Sequence, residues 1–561
     1  MVSDPGVLGG VGYPRGAVTQ SQKLKKEAGI IGLLYAGVGG MIGSGWLFGP
    51  LSAAQQAGPL SILAWLIGGV AVLALALVYA ELATILPRSG ALVHMSHLTH
   101  GRLVGRIWGW ILVLAYVTIA PVEAVAILSY SDAYIPGLID HATTSLTPKG
   151  IMAAIALLAV MVSLNFFTIR HVLTMNSTAT WWKLAVPIGT IFVLLSASYH
   201  PENFTIVHEK ADVEGLFTAV STAGIFFSLF GFRQAIDLAG ETKNPGRALP
   251  IAVIGTVLIG VLLYAALQFA FIAALDPAML KEGGWPGLRF DHISGPFAAL
   301  AVAVGAGWWA MILYSDAIVS PAACGFIYTT TASRILMASG ETGDLPRWLR
   351  LVNRFGVPWL ALLVTFGLGA LFFFPFPSWH KLVSYISSIT VLSYGIGPIL
   401  LLRLRLSMPE IPRSFKLRGA WLIAPFAFIT SNFIILWAGF ETVNFLFLLL
   451  GAFSLVYAAY YCLTPQSRKE DLDWLHALWL IPYFGGMWLI SALGPAELGG
   501  NGLYSFTSAM LLVALLSIVT LMLALATTLP ETRLREEMAV VANPTVLTGA
   551  ASARDRSGHL A

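Results

Sequence analysis

The sequence predicts an all-α integral membrane protein that crosses the bilayer many times. Of its 561 residues, 57% are hydrophobic and only 11% are charged, and the mean hydropathy is +0.79. Soluble proteins carry about 25% charged residues. Apolar runs of about 20 residues, the length that spans the hydrocarbon core, recur from residue 29 almost to the end of the chain. These observations together predict a bundle of membrane-spanning helices.

The apolar runs divide into fourteen predicted spans. We place the cut between the eleventh and twelfth spans near Glu441, because the apolar stretch there is about twice the length that one span needs. The polar segment 1–28 is expected to be an N-terminal tail, and 530–561 a disordered C-terminal tail. The spans are 29–50, 60–86, 107–136, 150–169, 181–198, 215–239, 248–275, 296–330, 357–376, 382–404, 419–438, 441–463, 474–493 and 504–529.

The distribution of Lys and Arg residues supports this count. With both termini in the cytoplasm, 25 of the 32 Lys and Arg residues fall on the cytoplasmic side and five on the other side. Cytoplasmic loops of membrane proteins are enriched in these residues. A single missed span would reverse the side of every later loop, so the bias favours an even number of spans and two cytoplasmic termini.

The first span is interrupted by glycine. Gly39, Gly40, Gly43 and Gly45 fall within seven positions. Each glycine costs a helix about 1 kcal/mol, and a backbone group that it frees finds no water in hydrocarbon. Such a break persists where it is buried in protein or lines a cavity, and there its free amides can hold an anion. The segment therefore predicts a binding site.

The sixth span contains a second segment of this kind, 224–233, in which small residues precede a buried charge. The first and sixth spans then occupy equivalent positions in two five-helix halves of opposite orientation. Paired interruptions of this kind point to the binding site of a transporter. Glycine also lets membrane helices pack closely, so close packing is the alternative for each segment taken alone.

At this point the sequence resembles a known family, the amino acid–polyamine–organocation (APC) superfamily of permeases. The resemblance covers about residues 25–405. The fourteen spans and Pro121-Val122-Glu123 in the third span are most similar to the bacterial branch that includes aspartate–proton symporters. Four signatures occur in the family's order, at residues 40–45, 79–90, 226–232 and 320–346.

The resemblance implies a LeuT-type fold in which residues 29–405 form a ten-helix core of two inverted five-helix repeats. Helices 1 and 6 of this core are discontinuous, and 419–529 adds four further spans. The substrate's α-carboxylate would meet the amides around Gly43, Ser44 and Gly45, and its α-ammonium the carbonyls near Met41, Phe226 and Leu229. The implied substrate-binding residues are Met41, Gly43, Ser44, Gly45, Phe226, Ser228, Leu229 and Gly231.

Lys183 is the first candidate for proton coupling. It follows Trp181-Trp182 near the start of the fifth predicted span, and a cation at the bilayer centre costs about 2.5–3.5 kcal/mol. One possibility is that the side chain snorkels to the cytoplasmic headgroups. The other is that its ammonium bridges spans one, five and eight, where sodium sits in sodium-coupled relatives of the implied fold, and releases its proton as the site opens.

Three further acidic residues are candidates for a role in transport. Glu123 in the third span either relays protons, contacts the substrate ammonium or is a protonated structural carboxyl. Asp316 on the eighth span either pairs with Lys183 or is structural. Glu81, at the inner end of the second span, is a signature residue that the resemblance assigns to gating through pairs with loop cations.

Arg233 departs from the family's commoner pattern, in which an acidic or small polar residue follows the Gly-Phe pair. A cation at the first turn of a half-helix opposes the local dipole, so an anion must compensate it. Asp237, four residues on and on the same helical face, is one candidate. The side chain of an acidic substrate is the other.

The sequence therefore predicts a secondary active transporter that imports an amino acid with a proton in the cell (inner or plasma) membrane, and it favours an acidic amino acid such as aspartate or glutamate as the substrate. The alternative is an amino acid exchanger on the same scaffold. No nucleotide-binding loop occurs, and we expect no enzyme activity, no cofactor, no metal and no nucleic-acid partner. His94, His97 and His100 are spaced by three residues but are expected to be solvated surface.

Overall fold

The computed structural model describes residues 28–87, 91–166, 169–206, 213–281, 283–290, 295–342, 344–463 and 472–542. The predicted N-terminal tail up to residue 27 and the chain after residue 542 lie outside the described residues. So do Arg88-Ser89-Gly90 and Gly343, which end or interrupt two of the signatures.

The first seven predicted spans fall on helices or pairs of helices. A two-stranded antiparallel hairpin, β1 (Ile139–Asp140) and β2 (Ser145–Leu146), lies in the connection before α7. The helices are α1 (Ile30–Met41), α2 (Gly45–Ala57), α3 (Ser61–Ile85), α4 (Ala91–His100), α5 (Arg102–Val117), α6 (Ile119–Ser131), α7 (Pro148–Leu164), α8 (Ile169–Ala197), α9 (Val213–Thr222), α10 (Ile225–Leu229), α11 (Arg233–Asp237) and α12 (Pro245–Ala274).

The later predicted spans also fall on helices. The described residues contain ten helices long and apolar enough to cross a membrane, or eleven if a bent pair counts as one span. The later helices are α13 (Gly284–Gly287), α14 (Pro296–Ala303), α15 (Gly307–Thr342), α16 (Trp359–Leu371), α17 (Trp379–Ser407), α18 (Ala420–Trp437), α19 (Phe440–Leu463), α20 (Leu480–Ala492), α21 (Phe506–Ala526) and α22 (Glu531–Ala542).

Three boundaries differ from the sequence-based ones. The helix of the fifth span begins at residue 169 rather than 181, because the polar stretch before the tryptophan pair continues the helix instead of forming a loop. The third span runs from 102 to 131 with a change of helix at Thr118. The predicted eighth span, 296–330, divides into the short α14 and the 36-residue α15.

The helix bounds are those expected of an interrupted first and sixth span. α1 ends at Met41 and α2 begins at Gly45, which leaves residues 42–44 outside both helices. In the sixth span, α9 and the following α10–α11 segment are bent by 54°. Gly224 lies at this bend in the left-handed conformation (φ 84°), which favours glycine.

The two interrupted segments meet through glycines. A Cβ atom on Gly231 would lie 2.4 Å from the backbone nitrogen of Met41 and 2.6 Å from the carbonyl oxygen of Gly37. A Cβ atom on Gly45 would lie 2.0 Å from Oγ of Ser228. Glycine at these positions therefore lets the first and sixth spans approach backbone to backbone.

Three of the four additional helices are joined to each other by buried polar contacts. Asn432 on α18 donates to Oγ of Ser517 on α21 at 2.9 Å, and the Tyr483 hydroxyl on α20 donates to Oδ1 of Asn432 at 2.7 Å. All three side chains are buried. Interhelical hydrogen bonds of this kind stabilise helix packing in lipid, so α18, α20 and α21 form one unit.

The expectation of a disordered tail after residue 529 is wrong for residues 531–542, which form α22. Arg533 on this helix forms an ion pair with Asp473 at 2.5 Å, and the Leu529 amide donates to the carbonyl of Thr99 at 2.8 Å. Arg533 thus binds the connection before α20, and the backbone of Leu529, just before the helix, binds α4.

The histidines of α4 are not all solvated surface, contrary to the expectation. His97 contacts Asp344 at 2.7 Å. His100 is buried between Thr99 and the carbonyl of Ala524, and burial lowers its pKa to about 4. Among the described residues no group of three or more His, Cys, Asp or Glu side chains is arranged to hold a metal ion. His97 and His100 therefore bind neighbouring segments of the protein.

Candidate functional site

Glu123 and Ser44 meet at the break in the first span. The Ser44 amide donates to Oε2 of Glu123 at 2.8 Å, and both residues are fully buried. Oε1 of Glu123 has no hydrogen-bond partner among the described residues. This oxygen packs against Gly43, where a Cβ atom would lie only 2.3 Å from it. A carboxylate therefore already occupies the start of α2, where the helix dipole favours an anion.

The neighbouring amides of the break remain open. Among the described residues, no hydrogen-bond acceptor is found for the N–H groups of Gly43 and Gly45. Ser228, which crowds Gly45 from the sixth span, donates its hydroxyl back to the carbonyl of Gly224 at 2.7 Å. These two amides are therefore available to a ligand.

Lys183 reaches the same break from the fifth span. Its ammonium donates to the carbonyl of Gly39 at 2.7 Å, and the side chain is fully buried. Because the side chain is buried and bonded to the first span, it does not snorkel to the surface. Its charge interacts with the carboxyl groups of Glu123 and Asp316, so two acids from other spans surround one cation.

The eighth span contributes two side chains to this cluster. Cys324 donates its thiol to the carbonyl of Gly40 at 3.5 Å. Asp316 accepts a hydrogen bond from Ser320 at 2.6 Å, and its other oxygen has no partner among the described residues. Lys183 and Asp316 therefore belong to one buried group, which joins spans one, five and eight.

Three site residues were missed by sequence reasoning. Trp379, at the start of α17, donates its indole N–H to Oγ of Ser44 at 2.9 Å. The Tyr264 hydroxyl on α12 donates to the carbonyl of Met41 at 3.1 Å. Tyr116 on α5 contacts Arg233. Aromatic residues are common in membrane helices, and nothing in their spacing distinguished these three from residues that only pack.

The residues of the sixth span are buried around this break. Phe226, Ser228, Leu229 and Gly231 all lie in the interior. The Phe227 ring faces Trp379 with ring centres 6.3 Å apart. The predicted substrate residues of the two interrupted spans are thus brought together, and in this conformation side chains close over the break.

Arg233 follows these residues in the sixth span, and its side chain contacts two aromatic rings. Its guanidinium carbon is 3.2 Å from the centre of the Tyr116 ring and 5.2 Å from that of Tyr394. Asp237, the candidate for the compensating anion, interacts electrostatically with Arg233 but does not accept a hydrogen bond from its guanidinium. It accepts one from the Tyr116 hydroxyl instead. The three guanidinium nitrogens have no hydrogen-bond partner among the described residues, although the side chain is fully buried.

Glu81 lies apart from this cluster. It is buried at the end of α3 and forms ion pairs with Arg405 at 2.6 Å and Arg413 at 3.1 Å. It also accepts a hydrogen bond from the Leu417 amide at 2.7 Å. The structure therefore connects the second span to the segment between α17 and α18, and Glu81 does not contact the residues of the break.

Interrupted apolar helices that meet beside buried charged groups are typical of one class of protein, the all-α membrane transporters. Residues 29–464 match the family model of the amino acid permeases, and the chain belongs to this family. It is a multi-pass membrane protein that transports amino acids, and its family and relatives are transporters rather than enzymes.

Two relatives of more than 30% identity cover most of the chain. The glutamate/serine transporter AimA of Bacillus subtilis is 36% identical over 508 residues, which span 89% of this chain and 93% of that protein. The aspartate-proton symporter of Bacillus subtilis is 33% identical over 520 residues, 92% of this chain and 99% of that protein. The serine/threonine exchanger SteT of the same organism is 27% identical over 260 residues, 46% of this chain and 57% of that protein.

Proposed function

We propose that the protein imports an acidic amino acid together with a proton across the cell membrane by alternating access. Both termini lie in the cytoplasm, as the Lys and Arg distribution favours. The first ten spans form two inverted five-helix halves, and the four additional spans pack at their side. The single observation that carries the acidic preference is the buried guanidinium of Arg233, whose three nitrogens have no hydrogen-bond partner among the described residues.

The break in the first span binds the backbone of the amino acid. The open amides of Gly43 and Gly45 at the start of α2 suit a carboxylate, because a helix N-terminus carries about half a positive charge. The carbonyl of Met41 at the end of α1 suits the ammonium group, and it keeps a lone pair beyond the one that Tyr264 uses. Recognition through backbone groups selects amino acids as a class.

Arg233 binds the side-chain carboxylate. A guanidinium forms two parallel hydrogen bonds with a carboxylate, and a buried cation without such a partner is costly. The Tyr116 ring holds the guanidinium by a cation–π contact and leaves its nitrogens for a ligand. Two relatives whose printed names include glutamate and aspartate, each more than 30% identical, support an acidic substrate.

Lys183 and Glu123 couple transport to protons. Both are buried ionisable groups at the break, and such groups inside a membrane mark proton or substrate pathways. The lysine ammonium binds the first span at Gly39 and interacts with the carboxyl groups of Glu123 and Asp316. A relative that is an aspartate-proton symporter supports this coupling.

The packing of the break supports alternating access. Glu123, Ser228 and Trp379 close over residues 43–45 in this conformation, so a substrate reaches the amides only when helices move apart. Rocking of one helix bundle against the other exposes such a site to each side in turn.

Uptake by proteoliposomes tests this function. We expect radiolabelled L-aspartate or L-glutamate to accumulate in vesicles without internal amino acid when the outside is made acidic, and a protonophore to abolish the accumulation. The similarity to the exchanger SteT makes exchange the second candidate function. An exchanger takes up radiolabelled amino acid only when the vesicles contain amino acid that can leave in return. Uptake that requires internal substrate and ignores the pH gradient would exclude the proposal in favour of exchange.

A further inference from the structure

We propose that the carboxylate of Glu123 is a built-in competitor of the substrate, which occupies the α-carboxylate position at Ser44 in the empty transporter and leaves it when protonated. This inference rests on the proposed function and specifies how proton and substrate are linked. It is carried by the hydrogen bond from the Ser44 amide to Oε2 of Glu123 at 2.8 Å.

The two ligands have the same chemistry. An amino acid offers its α-carboxylate to the amides at the start of α2, and Glu123 already offers a carboxylate to the central one of these amides. Gly43 makes the approach possible, because a Cβ atom there would lie 2.3 Å from Oε1 of Glu123 and 3.0 Å from Sγ of Cys324. One amide hydrogen serves one of the two carboxylates well, so they exclude each other.

The charges around Glu123 explain why a proton must accompany the exchange. Lys183 on α8, Cys324 on α15 and Tyr264 on α12 all interact electrostatically with this carboxyl. Lys183 is the cation among them. If the substrate carboxylate arrived while Glu123 stayed ionised, two buried anions would share this site. Two ionised carboxylates at such a short distance strongly disfavour each other's negative charge.

The exchange is balanced in charge and in bonds. Glu123 takes up one proton from the side to which the site is open, and its bond to the Ser44 amide breaks. The substrate carboxylate then accepts that amide hydrogen, so the buried charge opposite Lys183 is unchanged. After release to the other side, Glu123 loses the proton and binds Ser44 again. The cycle carries one proton for each amino acid.

The pH dependence of binding tests the proposal. Aspartate and glutamate keep a constant charge between pH 5.5 and 8, since their own groups titrate outside this range. Above the pKa of Glu123 the ionised carboxyl competes, so the affinity falls as the pH rises. Because one proton binds with each substrate molecule, Kd should rise about tenfold per pH unit above the pKa of Glu123. The purified full-length protein in detergent is titrated with radiolabelled L-aspartate, L-glutamate and L-serine.

Glu123→Gln removes the titrating group and keeps its shape. We expect this variant to bind with a Kd that is nearly independent of pH and to retain counterflow exchange, while uptake driven by a pH gradient is lost. The matched control is Glu441→Gln, which removes an exposed carboxyl group that lies 3.9 Å from the Lys381 ammonium and not at the Ser44 amide. Its Kd should keep the pH dependence of the parent protein.

The outcomes separate this inference from the proposed function. If the parent accumulates aspartate under a pH gradient and Glu123→Gln keeps the parent's pH-dependent Kd, the competition is refuted while symport stands. If Glu123→Gln fails to bind any of the three amino acids although it is monodisperse and unfolds at the parent's temperature, Glu123 contacts the substrate and competition is again refuted. A parent protein that ignores the pH gradient contradicts the proposed function itself.

Discussion

The ammonium of Lys183 donates a hydrogen bond to the carbonyl of Gly39 at 2.7 Å, and this contact joins the fifth span to the last turn of α1. The carbonyl lies just before the break, where an interrupted helix leaves backbone oxygens without their usual partners. A lysine thereby supplies a positive charge at the point where the first helix stops, and we expect the conformation of the break to depend on it.

Replacement of Lys183 tests this dependence. Lys183→Met keeps the length of the side chain but removes its charge and donor, so we expect uptake driven by a pH gradient to fall to the level of empty liposomes. Lys149→Met is the control, because Lys149 is exposed and bonds only the carbonyl of Pro136. Full acid-driven accumulation by the Lys183 variant would remove this residue from the coupling mechanism.

Arg233 is expected to determine the preference for acidic substrates. Arg233→Ala should lower the selectivity for aspartate over serine by about tenfold or more, because an Arg–carboxylate pair with two hydrogen bonds is lost. The inhibition of radiolabelled aspartate uptake by unlabelled amino acids measures this selectivity. Arg347→Ala, at an exposed position, is the control. An Arg233 variant with unchanged preference for aspartate would show that the cation is structural.

The contact between Gly45 and Ser228 should be open to second-site rescue. A methyl group at Gly45 would meet Oγ of Ser228 at 2.0 Å, so Gly45→Ala should weaken substrate binding by about tenfold, or 1.4 kcal/mol. Ser228→Gly in the same chain should restore part of this loss. Gly367→Ala, at a position with open space, is the control. Equal loss in the single and double variants would mean that the methyl group acts elsewhere.

Glu81 is expected to contribute to stability. Removal of one partner from a buried ion pair costs about 3–5 kcal/mol, so Glu81→Ala should lower the unfolding temperature of the purified protein clearly. Glu410→Ala breaks an exposed pair with Arg535 and should have little effect. If Glu81→Ala unfolds like the parent but transports slowly, the residue acts in gating, as the family resemblance implied, and its ion pairs are not needed for folding.

The sequence predicted the helices well because the bilayer leaves few alternatives. Backbone groups in hydrocarbon must be satisfied within the chain, so long apolar runs form helices and four close glycines indicate a break. The position of Lys183 was less predictable, because polar residues 169–180 continue the helix and a hydropathy boundary does not reveal this.

The partners of the charged site residues depend on tertiary contacts. Asp237 lies at helical spacing from Arg233, and spacing alone suggested a direct pair. In the structure Tyr116 contacts both residues: its ring stacks on the Arg233 guanidinium, and its hydroxyl donates a hydrogen bond to the Asp237 carboxylate. Tyr116 is 117 positions away from Arg233, so no local pattern identified it. The same holds for Trp379 and Ser44, which belong to the tenth and the first spans.

A structure of the transporter with bound L-aspartate tests the central claim most directly, namely that the broken first span binds the amino acid through its backbone. We predict the α-carboxylate within hydrogen-bond distance of the amides of residues 43–45, the ammonium near the carbonyl of Met41, and the side-chain carboxylate against Arg233. Aspartate bound elsewhere, with Glu123 still on the Ser44 amide and α1 and α2 unchanged, would contradict the account.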